Sequence, residues 1–105
     1  MLEEKLRIIK LFDVYGGFLT ERQRQIMEDY YINDNSLSEI AEVDSISKQA
    51  IHDSVKKSIK ALEKSEEEIG LIKKTEKIKT ELLEMLKNKK ITKQCCDKIL
   101  EILEE

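Results

Sequence analysis

The stretch Leu37-Ser38-Glu39-Ile40-Ala41-Glu42-Val43-Asp44-Ser45-Ile46-Ser47-Lys48-Gln49-Ala50-Ile51 decides the fold. Ser36, just before it, reads as an N-cap, and Glu39 three residues later completes a capping box. Leu37, Ile40 and Ala41 then form the apolar face of a short helix. Asp44 and Ser45 break that helix. Ser47 caps a second, longer one running to about Glu68, with Gly70 at its C-terminal end. Two helices that cross steeply need a small residue where their axes come closest, and Ala41 supplies it. Ile46 in the turn and Ile51 one turn into the next helix are placed to plug the angle from the other side. A short amphipathic helix, a brief break and a serine-capped second helix make a helix-turn-helix.

The second of these helices sorts its residues cleanly at 100° per residue. Ile51, Val55, Ser58, Ile59 and Leu62 fall on one side. Gln49, Asp53, Lys56, Lys57, Lys60 and Lys64 fall on the other, with His52 on the flank. A recognition helix needs this split: an apolar back anchored on the bundle and a polar front free to enter a groove. Ser47, Lys48 and Gln49 sit at its N-terminus, where backbone N–H groups can also meet phosphate. The candidate contacting set is therefore Ser47, Lys48, Gln49, His52, Asp53, Lys56, Lys57 and Lys60. The chain as a whole is acidic, with 19 Lys and Arg against 22 Asp and Glu. Ser47 to Lys64 is nevertheless locally basic, because five lysines there face only Asp53 and Glu63.

Outward from the motif, helical periodicity continues in both directions. A first helix spans about Leu2 to Tyr15, with Leu2, Leu6, Ile9 and Phe12 on one face and Gly16-Gly17 ending it. Thr20 and Gln23 form another capping box, opening a helix through Tyr31. Ile26, Met27, Tyr30 and Tyr31 are available for burial there, and Tyr15, Phe12 and Phe18 read as core with them. Asn33-Asp34-Asn35 is a turn. Beyond Gly70, Leu71, Ile78, Leu82, Met85 and Leu86 mark a helix ending near Lys87, and Asn88-Lys89-Lys90 interrupts it. Thr92 caps the last helix, with Ile91 placed to staple onto Cys96. Cys95, Ile99, Ile102 and Leu103 continue its apolar stripe. The expected protein is all-α: a helix-turn-helix bundle over residues 1–70 and a two-helix extension over residues 71–105.

Composition agrees and excludes much else. Charged residues make up 39%, there is no proline, and only three glycines occur. Strands joined by tight turns need more of both residues. No apolar run approaches the ~20 residues needed to insert in a bilayer. The opening Met1-Leu2-Glu3-Glu4-Lys5 is not a signal peptide. Cys95 and Cys96 are adjacent, a poor disulfide staple, and a single histidine makes a Cys/His zinc site implausible. These features point to a reducing cytoplasm. Three glycines cannot build a phosphate-cradling loop, and a lone histidine without a nucleophile gives no triad. No enzyme activity, metal or cofactor is expected.

Four segments taken together resemble a known family. They are Leu11-Phe12-Asp13-Val14-Tyr15-Gly16, Leu19-Thr20-Glu21-Arg22-Gln23-Arg24-Gln25, Leu37-Ser38-Glu39-Ile40-Ala41-Glu42 and Ile46-Ser47-Lys48-Gln49-Ala50-Ile51. In order and spacing they look like the YlxM-type helix-turn-helix family, which is similar to the promoter-reading fourth region of primary sigma factors (a sigma region 4-like bundle). The likeness covers roughly residues 6–72. It implies a cytoplasmic bacterial regulator that binds nucleic acid, DNA ahead of RNA, and acts in the signal recognition particle pathway, because the family's genes neighbour that of the particle's GTPase. It implies that Arg22 and Arg24 grip the nucleic-acid backbone, as the matching sigma segment does, and it assigns no catalytic residue.

One departure matters. Such motifs carry an apolar residue and then glycine in the turn, where this chain has Asp44 and Ser45, with Val43 one place early. The turn is therefore expected to be distorted or slightly long. The C-terminal stripes exceed what the motif needs to cover, which suggests a homodimer with two recognition helices. The alternative is a protein-interaction adaptor of the secretory targeting machinery, without direct nucleic-acid binding, whose working surface is an apolar face.

Overall fold

A computed structural model describes residues 1–104. Its elements are α1 (Leu2–Tyr15), α2 (Glu21–Met27), α3 (Leu37–Asp44), α4 (Lys48–Ile69), α5 (Leu71–Lys87) and α6 (Lys93–Leu103), and there is no strand among the described residues. A 3-10 turn, Gly16–Phe18, links α1 to α2, and a π turn, Glu28–Ile32, prolongs α2. The protein is all-α, as its composition requires.

The caps lie where local chemistry puts them. Thr20 Oγ1 accepts the Gln23 N–H at 3.2 Å, and Gln23 Oε1 accepts the Thr20 N–H at 3.1 Å. Ser36 and Glu39 make the same reciprocal pair at 3.0 and 2.9 Å. Each box satisfies two of the N–H groups that a helix start leaves without an internal partner. Gly70 takes a left-handed conformation, φ 69°, between α4 and α5.

The chain divides into two compact units, Met1–Ile69 and the residues from Gly70 onward. In the first, α4 is the spine on which α1, α2 and α3 each pack. Its core comprises Ile8, Leu11 and Tyr15 of α1, Ile26 and Met27 of α2, Ile40 and Ala41 of α3, and Ile51, Val55 and Leu62 of α4. Burying each of the larger side chains contributes roughly 1.5–3 kcal/mol, so this one cluster fixes how three short helices sit on the long one. Tyr15 is buried with its hydroxyl donating to the Glu66 carboxylate, which ties the end of α1 to α4.

The buried face of α1 differs from the one its periodicity suggests. Ile8, Leu11 and Tyr15 face the core, whereas Leu2 and Leu6 are exposed and Ile9 and Phe12 are half-buried. Two apolar stripes, centred roughly 130° apart at 100° per residue, compete on this helix. The winning stripe is the one that carries Tyr15, with its anchor on Glu66. Phe18 is likewise 72% exposed rather than core, stacked on Tyr15 at a centroid distance of 6.3 Å.

In the second unit α6 folds back along α5, and Lys79 Nζ meets Glu104 Oε1 at 2.8 Å. Leu82 and Cys96 are its only buried hydrophobic residues among those described. Cys96, not Cys95, is the core cysteine, and Cys95 is exposed. The reason is register. Thr92 Oγ1 accepts the Cys95 N–H at 3.1 Å, so Cys96 is the fourth helical residue, the one a staple from half-buried Ile91 turns inward. The α6 stripe is accordingly Cys96, Ile99, Leu100 and Leu103, and Ile102 stays exposed.

Candidate nucleic-acid interface

α3 and α4 meet through Ser45, Ile46 and Ser47, a turn of ordinary length. The distortion expected from Asp44-Ser45 is absent. Ser45 takes the left-handed conformation itself, φ 56°, ψ 37°. Its neighbour Ile46 donates its N–H to the Ala41 carbonyl at 3.1 Å, which closes the end of α3. Serine thus stands where glycine is the cheaper residue. Ala41 is buried at the crossing as expected, and Ile51 is fully buried, but Ile46 is 37% exposed and closes the angle only in part.

Ser47 Oγ accepts the Ala50 N–H at 3.0 Å and starts α4. The back of α4 is sealed: Ile51, Val55, Ser58 and Leu62 are buried, with Ile59 half-buried. Ser58 is accommodated there because its hydroxyl donates to the Ser54 carbonyl one turn back, at 2.9 Å. The front is open, since Ser47, Lys48, Gln49, His52, Asp53, Lys56, Lys57 and Lys60 are all exposed. Gln49 Nε2 donates to Asp53 Oδ1 at 3.0 Å, which orients both groups and leaves the Gln49 carbonyl oxygen as an acceptor. His52 Nδ1 lies 3.8 Å from the same carboxylate oxygen. Among the described residues no ion pair engages Lys48, Lys56, Lys57 or Lys60.

The two candidate arginines part company. Arg22 lies 3.7 Å from Asp44, at the end of α3 beside the turn, and remains 60% exposed. Arg24, two residues on and therefore roughly 200° further round α2, lines a groove against α1 with Leu6, Ile9, Phe12, Glu28 and Ile32. Arg22 belongs to the surroundings of the motif, and Arg24 is not brought to the α4 front. This groove, floored by the α1 stripe that lost the core, is the surface that reading the motif alone passes over. Its signal was present in the surplus of apolar residues on α1.

A short α3 and a long α4 joined by three residues, with a sealed back and an open polar front, define a helix-turn-helix protein. The family described as "Putative helix-turn-helix protein, YlxM / p13 like" matches residues 2–103, and the chain belongs to it. The match therefore runs past the motif to the end of α6. Among its relatives is the UPF0122 protein of Halalkalibacterium halodurans, 40% identical over 104 residues, 99% of this chain and 94% of that one. The UPF0122 protein of Oceanobacillus iheyensis is 45% identical over 87 residues, 83% and 82% of the two chains. That of Fusobacterium nucleatum is 34% identical over 103 residues, 98% of each. No helix of the described residues is long and apolar enough to cross a membrane.

Proposed function

We propose that this protein is a cytoplasmic, non-catalytic regulator that binds DNA through the front of α4. The observation that carries the reading is the pairing of a sealed apolar back with four exposed lysines that no carboxylate among the described residues engages. Lys48, Lys56, Lys57 and Lys60 contact phosphates, Gln49 and Asp53 face base edges, His52 and the Ser47 end of the helix flank them, and Arg22 adds a backbone contact. DNA is favoured over RNA on shape: an α-helix fits the major groove of B-form DNA, whereas the A-form major groove is too narrow. Four phosphate contacts are few for a single module, so two copies acting as a homodimer fit the reading better than one. A role in the signal recognition particle pathway is part of this proposal and follows from the family resemblance.

Titration of labelled duplex DNA by fluorescence anisotropy at two salt concentrations tests it. The four lysines of one α4 front contribute about −3.6 to the slope of log affinity against log salt, so their share of binding weakens by roughly two decades for a fourfold rise in salt. Replacing Lys56, Lys57 and Lys60 with Ala removes three of these contacts and lessens the steepness by about 2.7 per copy. Absence of binding at low salt, or a triple variant indistinguishable from the parent, overturns the proposal.

One observation favours a second reading, that of a protein-interaction adaptor. The groove lined by Leu6, Ile9, Phe12 and Ile32 is apolar at its floor and carries Lys10, Asp13, Arg24 and Glu28 at its rim. Under that reading Leu6→Asp abolishes partner capture, while the lysine substitutions do not.

A further inference from the structure

We propose that the tip of the α5–α6 hairpin is a second, separate contact surface for the phosphodiester backbone of nucleic acid. It requires neither groove entry nor α4, and so goes beyond the function proposed above. Lys87, Lys89, Lys90 and Lys93 lie within seven residues, and no acidic residue occurs between Glu84 and Asp97. All four are exposed. No ion pair among the described residues engages them, whereas Lys79 further along the same hairpin is matched by Glu104.

The cluster is held in a fixed shape. The Lys89 N–H donates to the Leu86 carbonyl at 3.1 Å and the Lys90 N–H to the Met85 carbonyl at 2.8 Å, the paired bonds of a Schellman motif. Half-buried Ile91 and the Thr92 cap pin the other side of the turn. The four ammonium groups therefore spring from a rigid corner.

Two of the lysines occupy positions that folding alone would fill otherwise. Lys89 sits in the left-handed region, φ 59°, where glycine is the favoured residue. Lys93 is the first residue of α6, where a cation opposes the helix dipole, and no acid in that first turn offsets it. Like charges close together add repulsion. A cluster that weakens the turn it occupies has its use outside the fold, and a concentrated, unpaired positive charge selects a polyanion. Nucleic acid fits better than a lipid surface. Surface-binding segments combine lysines with exposed large apolar side chains that enter the acyl boundary, whereas Ile91, the one apolar residue between Lys87 and Lys93, is half-buried.

The test uses the full chain and four proteins: the parent, the Lys56/Lys57/Lys60→Ala triple variant, a tip variant with Lys87, Lys89, Lys90 and Lys93 all changed to Gln, and a matched tip variant with all four changed to Arg. Each is titrated between roughly 50 and 200 mM salt against DNA and RNA duplexes of about 20 base pairs, and against vesicles containing phosphatidylglycerol. The glutamine variant, with its helical circular dichroism unchanged, is expected to lose up to about 3.6 from the steepness of the salt slope on one or both duplexes. The arginine variant keeps the parental slope. If the glutamine variant matches the parent on both duplexes, or the parent binds neither, the tip proposal is overturned. Tip-dependent binding to vesicles without binding to either duplex overturns it in favour of a membrane. Loss with the α4 triple variant alone removes the tip and leaves α4 standing. Loss with the tip variant alone does the reverse.

Discussion

Ser45 shows how one backbone angle carries a motif. The helix-turn-helix needs a left-handed residue after α3, and here a serine provides it at φ 56°. A Cβ in that region costs about 1–2 kcal/mol relative to right-handed backbone. Ser45→Gly is therefore expected to raise unfolding stability by roughly 0.5–1 kcal/mol, the gain in native backbone energy being partly offset by a freer unfolded chain. A urea denaturation midpoint that stays put or falls argues against strain at this turn. Ser58 makes a contrasting case. It is fully buried on the back of α4, yet its hydroxyl bonds, among the described residues, only to a carbonyl of its own helix. Removing the hydroxyl strands no partner, so Ser58→Ala is expected to change stability by less than about 0.5 kcal/mol. Ser58→Leu overpacks the same site and is expected to cost about 1–3 kcal/mol by the same measurement.

The helix is the scale at which sequence and structure agree best and also where they part. Thr20, Ser36, Ser47 and Thr92 all cap as their spacing indicates, because a cap is settled by residues within four positions of it. Which face of a helix is buried is not local. On α1, Leu6 and Ile9 lost the core to Ile8 and Leu11 through contacts with α4, some 50 residues away. On α6 the cause is local instead: the Thr92 cap sets the register, and Cys96 rather than Cys95 falls at the position the Ile91 staple turns inward. The split on α4 was legible because its front is so polar that no second stripe competes. The α3 cap also gives a pH prediction. The Glu39 carboxylate accepts the Ser36 N–H, and that bond, seconded by the Ser36 hydroxyl, holds its pKa below the ordinary 4.5. A folded-state pKa lowered in this way adds stability that is complete above the unfolded value and is lost as pH falls through the folded one. The stability difference between the parent and Glu39→Gln is therefore expected to be constant near neutrality and to shrink below pH 4.5. Urea midpoints for the two proteins that stay parallel into acid would remove Glu39 from the acid response.

At the scale of the molecule, the second unit has a small core, with Leu82 and Cys96 its only buried hydrophobic residues among those described. α5 has 17 residues and α6 has 11, so α5 is longer by roughly 9 Å at 1.5 Å per residue. The Lys79–Glu104 pair marks where α6 ends along α5. Leu71 and Ile78 lie beyond that point, in line with buried Leu82 but 49% and 46% exposed. Leu83 and Ile102 are exposed as well. A two-helix hairpin of about this size ordinarily needs a further surface to be stable, and two hairpins can complete a four-helix bundle. Association through this unit would also supply the second recognition helix that four lysines on one α4 leave wanting. The prediction is a homodimer: light scattering after size exclusion should give about twice the 12.3 kDa of one chain. Leu71→Lys with Ile78→Lys should return the single-chain mass while α1 to α4 keep their helical signal, because neither residue belongs to the core of the first unit. A parent protein that runs at the mass of one chain at every concentration removes the dimer. It would also leave a single α4 to enter the groove, and so halve the phosphate contacts that two copies of α4 supply.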